Sequence, residues 1–419
     1  DKVGDKMNRK MPIFTFIIIF LLTVFLRLVN IFQNENGLGH PLVMIFITTI
    51  VSIFVVFIEY RIDKNYNDNK LNYDNIDFFR YIFSIIIIIL HMRPFLGTSD
   101  QLDLTFNNII SRICVPFFFV VTGYFVAKKE KDNPLYIRKY IKSMIPLHLT
   151  WCLIYLPIIL ISAYSYLPQI SSYISMIKIP VYLLVPLSII LIPIALIIVL
   201  LYTGTYYHLW YFPAIMLSLF VLSKWKKRWK IKYLLVISFI LLLFGATETY
   251  YGFLPSSIKD WLSYYYNLFF TTRNFLFFGL FYVVMGYWIG NRKKLYSNHS
   301  FLKLIVCVFL LIAEALILQG TERLNSNILL SCVPLVYYLF LSAIYMDTIF
   351  DFSFKKRFRI LSKYYYLIHP LIIFIFQFIF INNINLMWNF LNIIAVVFVT
   401  HFISVVIIKL KAKHPNICV

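Results

Sequence analysis

Runs of about 20 apolar residues recur from one end of this chain to the other, and that recurrence limits its fold more than any motif does. Of 419 residues, 61% are hydrophobic and only 14% charged, more apolar surface than a water-soluble core can bury. In lipid every backbone N–H and C=O must be satisfied inside the protein, which leaves α-helices or closed β-barrels. Barrel strands alternate apolar and polar residues, whereas stretches such as IFSIIIIIL and LLVISFILLLFGA are continuous. The sequence therefore predicts an all-α, polytopic transmembrane helix bundle.

Spans are expected at 12–33, 41–60, 77–97, 108–127, 143–163, 208–223, 232–246, 268–290, 301–319, 328–347, 363–381 and 386–408. The first run lacks a small-residue cleavage site and is long enough to cross, so it reads as a retained helix. The formal charge of +21 would suggest a nucleic-acid partner in a soluble protein. Here the cations fill short loops: KKEKDNPLYIRKYIK (128–142), KWKKRWKIK (224–232), NRKK (291–294), KKRFRILSK (355–363) and KLKAK (409–413). They read as topology determinants on the cytoplasmic side, and no nucleic acid is expected. Membrane lipids are the expected surroundings, and a phosphate-bearing cofactor on that side also suits the charge. The alternate loops NENGLGH (34–40), GTSDQLDLTFNN (97–108) and INNIN (381–385) are nearly free of Lys and Arg, so both termini come out cytoplasmic.

One segment breaks the alternation. IPVYLLVPLSIILIPIALIIVLLYTG (179–204) is long enough to cross, yet the spans around it already place both its ends outside. Pro186 and Pro193 interrupt it, and proline breaks the helical ladder. A re-entrant or interfacial element packed on protein is expected, the alternative being a misplaced neighbouring span. The organisation is then two additional helices in 1–61, a polar linker at 62–76, a membrane domain at 77–408 and a tail at 409–419. Five scattered cysteines, Cys114, Cys152, Cys307, Cys332 and Cys418, have no paired spacing and suggest neither a disulfide framework nor a metal site.

The informative residues are polar groups inside apolar runs. Arg80 and His91 stand eleven positions apart, about three helical turns or ~16 Å, and so share a helix face. Arg112, His208, Arg273 and Glu314 come from other spans but fall at a similar outer depth. Ionisable groups facing lipid at mid-bilayer cost at least ~2.5–3.5 kcal/mol each, a penalty that a shared aqueous cavity removes. The alternative is that each snorkels to the headgroups or pairs with one neighbour. An inner set comprises Arg80, Arg138, Lys139, Lys142, His148 and His369, and for the loop cations simple topology is the competing explanation.

Taken in order, the Arg-x10-His helix, RICVPFFFVVTGYF (112–125), a basic loop, HLWYF (208–212) and YLIHP (366–370) resemble the membrane-bound acyltransferase-3 family over roughly residues 74–408. The resemblance implies transfer of an acyl group, commonly acetyl, from cytoplasmic acyl-CoA to a hydroxyl or amine of an extracytoplasmic glycan or related small-molecule acceptor, in a bacterial inner membrane. It makes His91 the catalytic histidine and Arg80 its partner, with Arg138, Lys139, Lys142 and His369 toward the CoA co-substrate. Arg112, His208, Arg273 and Glu314 would then hold the acceptor, and no metal is implied. Lys139 and Lys142 stand where the family often has an Arg-x-x-Arg pair, and lysine cannot fork onto a phosphate. PFFFVVTGYF, YIKSMIPLHLTWCLIYLP, HLWYFPAIM and TRNFLFFGLFYVVMG are similar to the membrane half of vancomycin-resistance-type serine racemases. That branch carries a cytoplasmic racemase domain after its last helix; the sequence reads as far as KLKAKHPNICV, which fits a stand-alone relative or a fragment. It suggests an alternative function, serine uptake, with Arg112 or Arg273 on the carboxylate and Glu314 on the ammonium. A scaffold or sensor with polar helix contacts is the third reading.

Overall fold

The structure, a computed structural model, describes residues 73–96, 103–176, 197, 200, 202, 204–269, 271–292, 300–319, 321–345, 357–379 and 386–413. The two additional N-terminal helices, the linker and most of the 179–204 segment lie outside the described residues. Within them the chain forms α1 (Asp74–Met92), α2 (Cys114–Asp132), α3 (Tyr136–Met176), α4 (Tyr211–Trp225), α5 (Ile231–Ala246) and α6 (Ser256–Phe269). It continues through α7 (Leu280–Asn291), α8 (Ser300–Gln319), α9 (Cys332–Tyr345), α10 (Phe358–Ile379) and α11 (Leu386–Lys413). Six helical stretches are long and apolar enough to cross a membrane, and α4, α5, the helix over Phe275–Asn291 and α9 are shorter apolar helices. The architecture is an all-α polytopic bundle.

Local sequence sets the ends of these elements. Asp74 and Asp77 occupy the first turn of α1 and His91 the last, the order a helix dipole favours. Arg93 closes α1 in the left-handed region at φ 44°, its N–H on the Ile89 carbonyl and its side chain 3.0 Å from Asp103. α3 runs for 41 residues, ~60 Å, well past the expected span end at 163. α6 was not expected; its exposed Trp261 and Tyr264 mark it as a surface helix. Two π-helical stretches, Leu104–Ile110 and Phe275–Gly279, lead into α2 and α7.

α2 and α7 form the tightest pair. A Cβ on Gly123 would sit 2.1 Å from the Val283 carbonyl oxygen, and one on Gly286 2.0 Å from that of Val120. Glycine there lets two backbones touch, which is how helices associate where no hydrophobic effect drives them together. Phe117, Phe119, Val120, Tyr124, Tyr282 and Val283 are fully buried around this seam. α1 packs on α2, with Phe79 and Phe83 against Phe117, and α1 and α10 run in the same direction: Phe358 packs on Phe78 and Tyr81, Tyr365 on Tyr81, and His369 on His91.

The basic loops gather at one end. Lys226 pairs with Glu130, which also accepts from Tyr287 Oη at 2.7 Å, and Lys131 Nζ donates to the Gly290 carbonyl at 3.2 Å. Segments predicted to share a membrane face thus meet. At the other end the 246–254 and 321–331 segments join, with Leu324 N donating to Glu248 O at 3.1 Å and Gly252 N to Glu322 O at 2.7 Å.

Candidate functional site

A cavity of about 700 Å³ is lined by α1, α2, α3, α4 and α10 together with the segments that carry Arg112, His208, Arg273 and Asn327. Arg80 and His91 both line it, so their common helix face looks into one space. Toward Arg80 the wall is cationic: Arg359 and Lys363 come from the first turns of α10 and Lys411 from the last turn of α11. Arg80 reaches Asp77 at 3.4 Å, while its buried Nε has no hydrogen-bond partner. Toward the other end the lining includes Arg112, His208, Trp210, Arg273 and Asn327.

Three histidines meet near the middle. His91 packs on Tyr207 at 4.7 Å and on His369 at 5.4 Å between ring centroids, and His208 lies edge-on to His369 at 5.8 Å. His369 is fully buried, with Nδ1 2.7 Å from the Tyr365 carbonyl oxygen. A carbonyl only accepts, so Nδ1 carries the proton, and in the neutral ring Nε2 is a lone pair. That Nε2 has no partner, and neither ring nitrogen of His208 has one. The next residue, Pro370, has no N–H to return to the helix, and the imidazole N–H supplies a donor in that turn. Tyr366 Oη donates to the His208 carbonyl at 2.5 Å and so fixes the turn that carries His208 against α10.

Both guanidiniums at the far end arise where helical geometry is irregular. Arg112 sits in the 3-10 stretch Ser111–Ile113, directly after the π-helical turns. Its Nη atoms reach Asn327 Oδ1 and Asn108 Oδ1, both at 3.3 Å. Arg273 precedes Asn274, whose Oδ1 caps the second π-helix by accepting from Leu276 N and Phe277 N. The guanidinium stands 5.2 Å over the Trp210 ring. π-turns inside helices frequently coincide with functional positions, because the widened turn re-aims a side chain.

Two carboxylates brace these loops from behind. Glu248, only 2% exposed, accepts from Thr272 N at 2.9 Å and from the hydroxyls of Thr271 and Thr272. Glu314 accepts from Leu330 N at 2.7 Å, Ser331 N at 2.9 Å, the Ser331 hydroxyl and Tyr250 Oη. Glu314 does not line the cavity; it holds the loop that carries Asn327. Thr249 Oγ1 accepts from Ile328 N at 3.2 Å beside it. The segment Ala246–Tyr251 is thus the support for both Arg273 and Asn327.

Several expected site residues are placed differently. The sequence groups His369 with the inner cations because it predicts a span beginning at 363. α10 begins at Phe358, so His369 lies eleven residues in, level with His91. On α3, Tyr140, Ser143, Met144 and Leu147 face the cavity at helical spacing. Arg138, Lys139 and Lys142 are exposed and absent from its lining, and His148 is turned to the Leu200 carbonyl at 3.0 Å. Sequence reasoning missed Arg359, Lys363 and Lys411 as lining cations, having read them only as loop charge. It also missed Asn327 and Glu248. The signal for Glu248 was present, since a lone acid in FGATETYY directly follows an apolar run.

A family model described as an acyltransferase domain matches residues 73–409. An amino-acid racemase of Enterococcus faecalis is 25% identical over 279 residues, covering 64% of this chain and 35% of the relative. A second amino-acid racemase of that organism is 24% identical over 366 residues, covering 81% and 46%. A serine/alanine racemase of Enterococcus gallinarum is 26% identical over 348 residues, with the same coverage of 81% and 46%. The chain spans less than half the length of these curated relatives. No solved structure matches it.

Proposed function

The chain belongs to the acyltransferase-3 family, and from that premise we propose that it moves an acyl group from a CoA thioester to a hydroxyl or amine of an acceptor across the membrane. The observation that carries this is the single cavity whose lining runs from a cationic mouth at Arg80, Arg359, Lys363 and Lys411 to the imidazole of His91. Four cations beside one aspartate suit the phosphates of a nucleotide-tailed donor. Arg80 and His91 are ~16 Å apart along α1, a distance that a long, flexible thioester-bearing arm bridges.

His91 acts as the general base. Its ring has no hydrogen bond among the described residues and borders the cavity. It accepts the proton of the acceptor hydroxyl as that oxygen attacks the thioester carbonyl carbon, forming the new C–O bond. The C–S bond then breaks, and the imidazolium returns its proton to the departing thiolate. Direct transfer is simplest: the buried Cys114, Cys152, Cys307 and Cys332 are not cavity-lining groups, so none serves as an intermediate nucleophile. His208, Arg112 and Arg273 position the acceptor. On this reading the cationic mouth faces the cytoplasm, with both termini on that side.

The experiment is acetyl-CoA turnover by the protein in lipid nanodiscs, read as free-thiol release, with His91→Ala as control. Thiol release that His91→Ala leaves unchanged sinks the assignment of His91, and absence of acyl-CoA binding sinks the donor. The second reading, uptake of a small amino acid, draws on the printed names of the racemase relatives. It loses one partner, because Glu314, which would meet the ammonium, is engaged by Leu330, Ser331 and Tyr250.

A further inference from the structure

We propose that the Arg112–Arg273 end of the cavity is an oxyanion site, so that the molecule meeting His91 carries a carboxylate or phosphate group. The inference rests on the acyl-transfer reading only in calling that molecule the acceptor; the site itself is argued from charge and geometry.

Arg112 and Arg273 both line the cavity, and each has a buried Nε without a hydrogen-bond partner. Neither makes an ion pair among the described residues. The Nη atoms of Arg112 meet only the neutral amide oxygens of Asn108 and Asn327, and Arg273 meets the face of Trp210. The two guanidiniums lie within electrostatic range of each other, with Arg93 and Arg323 beyond them.

No carboxylate among the described residues contacts either guanidinium. Glu248 lies within electrostatic range of Arg273 but is held by Thr271 and Thr272. Asp103 pairs with Arg93, and Glu314 is held in its own loop. A like-charged pair in a low-dielectric wall with no carboxylate in contact is unfavourable, and a bound anion removes that penalty.

A third donor points the same way. Asn327 is 8% exposed, its Oδ1 already accepts from Arg112, and its Nδ2, which only donates, has no partner. On Arg112, Arg273 and Asn327 the unfilled groups are all donors: two guanidinium Nε–H and one amide NH₂. These three donors favour a ligand rich in acceptor oxygens, and planar guanidinium forks match the oxygens of carboxylate or phosphate. With the unpartnered His91 ring lining the same cavity, the oxyanion and the reacting hydroxyl or amine belong to one small molecule.

The test uses the full chain in nanodiscs at constant ionic strength, with two matched pairs of probes: lactate against lactamide, and glycerol 3-phosphate against glycerol. The expected result is that at least one charged probe raises the unfolding midpoint while its neutral partner does not. The responding pair tells carboxylate from phosphate. Arg112→Gln and Arg273→Gln each weaken that binding about tenfold or more, the scale of one charge-assisted hydrogen bond, and exposed Arg138→Gln does not. Equal responses to charged and neutral members in both pairs, measured on the unsubstituted protein, overturn the proposal whatever the variants do. Thioester consumption separates the two readings. Anion binding without acetyl-CoA turnover upholds this site and ends the acyltransferase reading. Turnover that prefers the neutral members does the reverse.

Discussion

The rings of His91 and His369 stack 5.4 Å apart and 22° from parallel, although one closes α1 and the other lies midway along α10. His369 is pinned through Nδ1 to the Tyr365 carbonyl, so it offers His91 a fixed flat wall. A base that must meet its proton at one angle benefits from such a wall, because small misplacements are costly in rate.

Removing His369 tests that role. His369→Ala is expected to lower kcat for acyl transfer about tenfold or more while the KM for acyl-CoA stays within about twofold, since the ring is remote from the cationic mouth. A rise in donor KM at constant kcat would instead return His369 to the donor side.

His91 itself carries the larger effect. His91→Ala is expected to reduce thioester-dependent transfer by about 100- to 10,000-fold, the usual contribution of a positioned base. The unfolding midpoint should hold, because the side chain is only half-buried and has no hydrogen bond among the described residues. Steady-state kinetics and thermal unfolding in the same nanodiscs report both.

Donor binding follows the cavity lining rather than loop charge. Arg359→Ala and Lys363→Ala are expected to raise the KM for acyl-CoA about tenfold, the scale of a lost charge-assisted contact. Arg138→Ala and Lys142→Ala leave it within about twofold, since both side chains point outward from α3. Titration of acyl-CoA with the four variants decides between the two groups.

Glu314 is a stability residue in this structure. Glu314→Gln turns one of the two carboxylate oxygens, which together accept from Leu330 N, Ser331 N, the Ser331 hydroxyl and Tyr250 Oη, into an NH₂ that cannot accept. The expected loss is about 1–3 kcal/mol, seen as a lower unfolding midpoint. The KM for acyl-CoA should not change. An amino-acid uptake assay gives the second reading its chance: there Glu314→Gln would abolish uptake at unchanged stability.

The bundle class and most helix positions were legible because lipid leaves so few options for continuous apolar runs. Arg80 and His91 were legible as a pair because helical spacing alone puts them on one face. What escaped was set by helix ends and side-chain direction. Five residues of extra helix at the start of α10 moved His369 from the inner set to the centre. The exposure of Arg138 and Lys142 depends on which face α3 turns to the cavity, and their spacing from Tyr140 and Leu147 becomes informative only once that face is known. Glu314 looked like a ligand group because an acid in an apolar run demands a partner. The partner is the backbone of a loop sixteen residues later, a relationship that no local pattern encodes.

The backbone contact at Gly123 and Gly286 bears on how this protein moves. Helices whose main chains touch, with a carbonyl filling the place of each missing side chain, mesh like cogs and resist sliding. The α2–α7 pair is therefore a stator. Any alternation in which mouth of the passage is open is left to α1 and α10, where aromatic rings make the contacts and can swing between rotamers.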